Sequence, residues 1–328
     1  MGGVVYRSAV IAAVIAVLHV GLPANAAESV GVVTILEGDA TTIRGLSEFA
    51  LAEGVHVSSN ELVETGKNTF LRIEFTDGAI ADLGPATRVQ INRPTLRRND
   101  RPAFYLLTGW MKMSAGKLGA GAKASIGSPQ FDAVNLDSQS VEQVQSGSSA
   151  IFAESGPVRV LDHSRGGATP IQLKSGDFLA LRSDESPKIS PRPAHDFLTT
   201  LPRQFEDPLP SRLARFSGRD VPAKLVGAFT YSNVEAWLDA EPMIRRRFVH
   251  EWVAKADDDA FRQQLEARLS RHPEWERVLY PERFEPKSPP PVAAAPAAAA
   301  PNDGSSLVNP SVPSATPEAG APESAPAH

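Results

Sequence analysis

The sequence predicts a mainly β fold, followed by a small all-α segment and a tail without regular structure. The β prediction rests on the alternation of apolar and polar residues between positions 63 and 91, which is typical of strands. From His195 onward apolar residues recur at helical spacing instead. Residues 285–328 hold 11 of the 28 prolines and no periodic apolar pattern, which indicates a disordered or polyproline-like tail.

The clearest strand pair turns at Asp77-Gly78. If these two residues alone formed the loop, Asp82 would face Ile73 and bury a carboxylate in the apolar row, because cross-strand neighbours share a face. A three-residue loop over residues 76–78 avoids this and puts Gly78 at the left-handed position that such loops need. This register pairs Phe75 with Ala79, Ile73 with Ala81 and Leu71 with Leu83.

Short strands separated by glycine turns continue on both sides of this hairpin. Before it, Val30–Leu36 is rich in β-branched residues and ends at a Gly-containing turn. After it, a strand–Gly–strand pattern recurs in three places: Leu107–Trp110, Glu154–Pro157 and Lys174–Asp177. The sequence therefore predicts a sandwich, barrel or solenoid-like β domain over residues 28–185.

This stretch resembles the FecR-like domain, an all-β extracytoplasmic module named after the iron-dicitrate sensor of Gram-negative bacteria. The resemblance rests on Leu62–Gly66, Leu71–Gly78 and Leu83–Pro85, and extends more loosely to residue 185. It implies a link to envelope sensing, since the name-giving family relays the occupancy of an outer-membrane receptor to a cytoplasmic sigma factor. The cytoplasmic N-terminal arm of that family is not evident here, so we expect a scaffold or sensor rather than the relay itself.

Residues 1–26 have the pattern of a secretory signal peptide. Arg7 precedes an apolar run from Ala9 to Leu22, and Ala24-Asn25-Ala26 forms a small-x-small cleavage site. The run is shorter than the roughly 20 residues of a spanning helix. We therefore expect export to the periplasm with cleavage near Ala26, and no integral membrane span afterwards. Retention of the segment as an anchor is the alternative.

A Pro-rich linker over residues 186–194 separates the β domain from a helical module at 195–284. Ser232–Glu235 has the pattern of a capping box, and Pro242 suits a first helical turn. Asp257 is placed to cap a third helix, whose apolar row consists of Phe261, Leu265 and Leu269.

Composition and motifs give no support to an enzyme, a metal site or a cofactor. The net charge of -5 does not favour nucleic acid, and the absence of cysteine excludes disulfides and thiolate chemistry. Gly119–Ala124 fits a dinucleotide fingerprint only nominally, because no βαβ context surrounds it. His250-Glu251 lacks the second histidine of a zinc helix, and Asp257–Asp259 lacks the glycine and distal glutamate of a calcium loop.

We therefore expect a non-enzymatic envelope protein that acts through an envelope protein partner. A module that binds cell-wall glycan or peptidoglycan is the alternative, and an enzyme of unknown class is a further one, because a catalytic triad can assemble from distant residues. Trp110 is the candidate glycan-binding residue, and Arg245, Arg246 and Arg247 are the candidates for an acidic partner. Core packing for Trp110 and a solvated helix face for the arginines are the structural alternatives.

Overall fold

The protein is described by a computed structural model, which covers residues 29–92, 102–114, 124–135, 138–163 and 169–285. Three of the segments discussed above lie wholly or mostly outside these residues: the signal peptide, the glycine-rich segment at 119–124 and the C-terminal tail. In the described part of the chain no helix is long and apolar enough to cross a membrane.

The fold is mainly antiparallel β with a few short helices after the strands, as the sequence predicts. The described residues form 18 strands. In chain order they are β1 Ser29–Glu37, β2 Ala40–Arg44, β3 Ser47–Ala50, β4 His56–Ser58, β5 Leu62–Thr65, β6 Phe70–Phe75, β7 Ile80–Leu83, β8 Arg88–Ile91, β9 Phe104–Ser114, β10 Ala124–Gly127, β11 Phe131–Asn135, β12 Gln139–Gln145, β13 Ser148–Ser155, β14 Val158–Asp162, β15 Ile171–Leu173, β16 Phe178–Arg182, β17 Lys188–Ser190 and β18 Lys224–Ala228.

These strands make two sheets that share β9. The first sheet has the order β4-β1-β6-β7-β9-β12-β13-β16-β17. The second has the order β18-β3-β2-β5-β8-β9-β10-β11-β14-β15. Among the described strands, only β9 and β10 run parallel. The main apolar core, which includes Val33, Ile73, Phe75, Leu106 and Val160, draws on strands of both sheets.

The predicted β6–β7 hairpin is confirmed, including its register. Leu71 pairs with Leu83 and Ile73 with Ala81. The Phe75 N–H donates to the Ala79 carbonyl at 2.9 Å, and Gly78 has a φ of 83°. The requirement that the apolar row contain no carboxylate selects a three-residue loop. This requirement was therefore sufficient to predict the register of the hairpin.

Gly109 does not separate two strands, contrary to the prediction, but bends a single one. Residues before it pair with β8 in the second sheet, and residues after it pair with β7 in the first. Its φ of 100° and the register shift opposite Arg88 mark a bulge that lets β9 pass from one sheet to the other. The other two glycine patterns are turns as predicted, with positive φ at Gly156 and Gly176.

The described residues form five helices, of which the first precedes β18 and the other four follow it: α1 His195–Thr200, α2 Tyr231–Leu238, α3 Pro242–Glu251, α4 Asp259–Ala267 and α5 Glu276–Leu279. Short 3₁₀ turns lie at Arg203–Phe205, Leu213–Phe216, Val253–Asp257, Pro273–Trp275 and Pro281–Arg283. The first predicted cap, at Ser232, is two residues late, because Thr230 is the N-cap and Asn233 accepts its backbone N–H at 2.8 Å. The second is one residue early, since Asp258 caps α4. Pro242 opens α3 as predicted.

Strands also form inside the segments predicted to be linker and helix. Lys188–Ser190 of the proline-rich stretch pairs with β16, and β18 pairs with β3. Helices α2 to α5 pack on the second sheet, where Ile43, Leu62 and Tyr105 join the aromatic cluster of the helices. The helices thus complete a core to which the sheet also contributes.

Candidate functional site

The first sheet carries an elongated face that is covered by residues 195–216, which we call the strap. The strap consists of α1 and two 3₁₀ turns joined by extended chain. Phe197 and Phe205 are its buried anchors, together with Pro202, while most other strap residues are exposed or half-buried. The strap is therefore held by few side chains.

A row of charged side chains lies on the sheet face beneath the strap, and we call it the charged row. Its members are Arg72, Glu74, Asp82, Lys112 and Glu154. Arg72 and Asp82 form a two-pronged ion pair at 2.6 and 2.7 Å, and they are only 5% and 2% exposed. Burial raises the pKa of Asp82, and the guanidinium of Arg72 opposes this shift. Lys112 pairs with Glu154 at 2.7 Å.

Backbone groups of the strap complete the hydrogen bonds of the charged row. Arg72 donates to the Leu209 carbonyl at 2.8 Å, and Lys112 donates to the Phe205 carbonyl at 2.6 Å. Glu74 accepts the Arg212 N–H at 2.8 Å and also the Ser211 hydroxyl. These contacts use the main chain of the strap in all but one case, so the charged row binds backbone groups more than particular side chains.

Two apolar sockets flank the charged row and receive the strap's aromatic rings. Phe197 lies with its ring centroid 5.1 Å from that of Trp110 and 5.0 Å from that of Phe178. Phe205 meets Phe70 edge-on at 6.3 Å. Trp110, the candidate glycan-binding residue, is only 8% exposed. Its arrangement under α1 fits the packing alternative.

A second feature is an open cleft of about 980 Å³ between the second sheet, residues 218–220 and the end of α3. Ile43, Leu62 and Trp252 are its apolar lining residues. Its polar residues include Arg44, His56, Ser58, Asn60, Glu61, Arg219 and Asp220. The cleft thus combines three apolar side chains with a larger number of polar and charged ones.

Glu61 is the buried acid of the cleft. It accepts hydrogen bonds from Thr42 Oγ1 and the Ser58 N–H, both at 2.9 Å, and pairs with Arg44 Nε at 2.8 Å. Burial raises the pKa of Glu61, and the Arg44 guanidinium works in the opposite direction. These partners fix the carboxylate in place.

His56 ties three parts of the chain together at the cleft. Its Nε2 lies 2.9 Å from the Arg219 carbonyl, and its Nδ1 lies 2.9 Å from Ser29 Oγ. A carbonyl only accepts, so Nε2 carries a proton, and in the neutral ring Nδ1 accepts from Ser29. A serine–histidine contact is one component of a nucleophilic site, but here the His56 side chain joins β1 and β4 to the chain after the strap.

The three candidate arginines of α3 have different environments. Arg245 pairs with Glu274 at 2.8 Å. Arg247 pairs with Glu251 and donates to Asn92 Oδ1 at 3.2 Å. Arg246 is exposed to solvent. The binding role of the three side chains stays a prediction, and Arg246 is the one of the three that is exposed.

No cluster of three metal-ligating side chains occurs within the described residues. His250, the histidine of the incomplete zinc-helix motif, is exposed on α3. Asp258, from the acidic run at 257–259, caps a helix and accepts a hydrogen bond from Lys255, which lowers the pKa of Asp258.

The sequence contained a signal for part of the charged row but none for the strap. The predicted hairpin register already places Arg72 opposite Asp82. The register does not indicate, however, that this polar face is covered by another segment. Nothing in the spacing of residues 195–216 indicates that Phe197 and Phe205 return to the first sheet. Arg44 ends β2 and Glu61 immediately precedes β5, and the sequence does not specify that these two strands pair.

Comparison with known proteins adds little. No model of a known family matches the chain, and neither does any curated protein. Two crystal structures from Parabacteroides distasonis ATCC 8503, each named "putative anti-sigma factor", are 13% and 14% identical to it with a TM-score of 0.36. They match 43% of this chain, which spans 64% and 63% of theirs. A structure named "Cell surface anchoring domain" is 25% identical over 23% of this chain and 99% of its own, with a TM-score of 0.20. TM-scores this low carry no argument about function.

Proposed function

We propose that this protein is a non-enzymatic, extracytoplasmic interaction protein built on a FecR-like domain and linked to envelope sensing or signalling. The observation that carries the proposal is the open cleft between the second sheet and the helical segment. It presents apolar surface and exposed polar groups together, and it lies where two parts of the chain meet, which is a common position for binding sites.

The contacts inside the cleft favour binding over reaction. The Glu61 carboxylate and both ring nitrogens of His56 are engaged by neighbouring groups of the same chain. A general acid or base must instead reach a substrate proton at hydrogen-bond distance. These groups act as ties that shape the recess, and the partner we propose is an envelope protein that inserts into it.

Export to the periplasm remains part of the proposal. It is supported by the signal-peptide pattern of residues 1–26 and by the resemblance of the β domain to an extracytoplasmic family. The glycan alternative has less support, since Trp110, its candidate residue, is packed beneath Phe197.

Site-specific photo-crosslinking tests the proposal. A photoreactive amino acid replaces Asp220, an exposed residue at the cleft, and in a matched variant it replaces Lys174, an exposed residue in the turn after β15. In intact envelopes we expect one discrete protein adduct at position 220, lost when excess unlabelled protein competes, and none at position 174. Sedimentation with purified sacculi and no protein adduct would support the glycan alternative and contradict the proposal.

A further inference from the structure

We propose that the strap is a displaceable intramolecular occupant of a second binding groove, the charged row with its two aromatic sockets. The occupant that displaces it is a partner segment that follows the same path as the strap and carries two aromatic side chains spaced as Phe197 and Phe205 are. This inference deepens the proposed interaction function by assigning a second surface and the kind of segment that fits it.

The first support is that the groove binds main-chain atoms. The carbonyls of Leu209 and Phe205 and the N–H of Arg212 are the groups that the charged row holds. Every peptide has backbone carbonyls and N–H groups, so a partner segment can replace the strap without copying its whole sequence. The sockets add selectivity, because each encloses an aromatic ring.

The second support is that the strap can leave without opening the main core. The apolar cluster between the two sheets contains no strap residue. The cluster on the first sheet's outer face is the one that includes Phe197 and Phe205 from the strap and Trp110 and Phe178 from the sheet. Segments with few buried contacts open at lower free energy than core strands, so strap opening can precede global unfolding.

The third support is the charge of the surface that opening would uncover. The charged row is desolvated while the strap is in place, and this desolvation opposes the attraction within its ion pairs. On opening, these groups regain water, which offsets part of the contacts that are lost. A purely apolar face would give no such compensation.

Hydrogen exchange tests whether the strap opens separately. In the full chain we expect the amides of residues 196–213 to exchange at least tenfold faster than those of β6. The double variant Phe197→Ala/Phe205→Ala should speed strap exchange by a further tenfold and leave β6 unchanged. Leu198→Ala, in the same helix but with a side chain that is 46% exposed, is the matched control and should leave both rates unchanged. Exchange of strap and β6 at one common rate would overturn the inference.

A peptide added in trans tests the groove itself. A labelled peptide with the sequence of residues 195–216 should bind the double variant at least tenfold more tightly than it binds the wild-type chain, whose groove is filled. The same peptide with alanine at both aromatic positions should lose this binding. Equal binding of the two peptides, or exchange of straps between two copies to form a dimer in place of peptide binding, would contradict the inference.

The two proposals can fail independently. The crosslink at Asp220 reports on the cleft and does not require the strap to move. Peptide binding by the double variant, in turn, does not require an envelope partner at the cleft.

Discussion

Replacing Gly109 by alanine should be among the most damaging single-methyl changes in the protein. Gly109 is the residue at which β9 passes from the second sheet to the first, and it has a φ of 100°. A methyl group there would lie 2.4 Å from both Cα and Oγ1 of Thr87, far inside van der Waals contact. Side chains with a Cβ also avoid this backbone conformation.

The size of the effect follows from whether Thr87 can move. Thr87 is fully buried, and its hydroxyl accepts the Trp110 N–H at 2.9 Å and lies 3.0 Å from the Gly84 carbonyl. These bonds hold it against the bulge. Overpacking typically costs about 1–3 kcal/mol, and the left-handed backbone adds about 1–2 kcal/mol. We therefore expect Gly109→Ala to lower the free energy of unfolding by about 2–5 kcal/mol.

Gly45→Ala is the matched control, because Gly45 also has a positive φ, of 57°, but has no atom within 4 Å of the added methyl. Its free energy of unfolding should fall only by the cost of the left-handed backbone, about 1–2 kcal/mol. Urea denaturation followed by far-UV circular dichroism measures both changes on the same chain. Equal losses for the two variants would refute the argument, since the contact with Thr87 would then contribute nothing.

Three further predictions concern buried groups. Arg72→Met should destabilise the fold by about 3–5 kcal/mol because it strands the Asp82 carboxylate, and adding Asp82→Leu should recover at least half of this loss in urea denaturation; no recovery would contradict the pairing. Burial lowers the pKa of His272, so the unfolded chain takes up a proton that the folded chain does not, and stability should fall as the pH drops below about 6.5. The melting temperature of His272→Gln should fall less between pH 7.5 and 5 than that of the wild type, and an equal fall would argue against this assignment. Phe248→Ala should cost about 3–5 kcal/mol of unfolding free energy, whereas Met243→Ala, on the same helix and 83% exposed, should be close to neutral.

How far the sequence predicts this fold depends on whether the deciding contacts are local. The β6–β7 register follows from neighbouring residues alone, so it could be derived and is correct. The role of Gly109 could not be derived, because a glycine pattern in one strand does not show that its two halves pair in different sheets. Prediction of the site from the sequence is limited in the same way. The sequence identifies Trp110 as a residue of interest, but the ring that covers it belongs to Phe197, which is distant in the chain.

The alternation in β6 shows where sequence reasoning stops. A period of two separates two faces, and polar residues on one of them normally indicate water. Here both faces of β6 are buried, so Arg72 and Glu74 are as enclosed as Ile73 and Phe75. The polar face is enclosed because the strap covers it and supplies main-chain partners for its charges. Arg72 and Asp82 carry opposite charges at paired positions of the predicted register. Such a pair is compatible with a face exposed to solvent and with a face covered by another segment. Which of the two occurs depends on a part of the chain more than a hundred residues away.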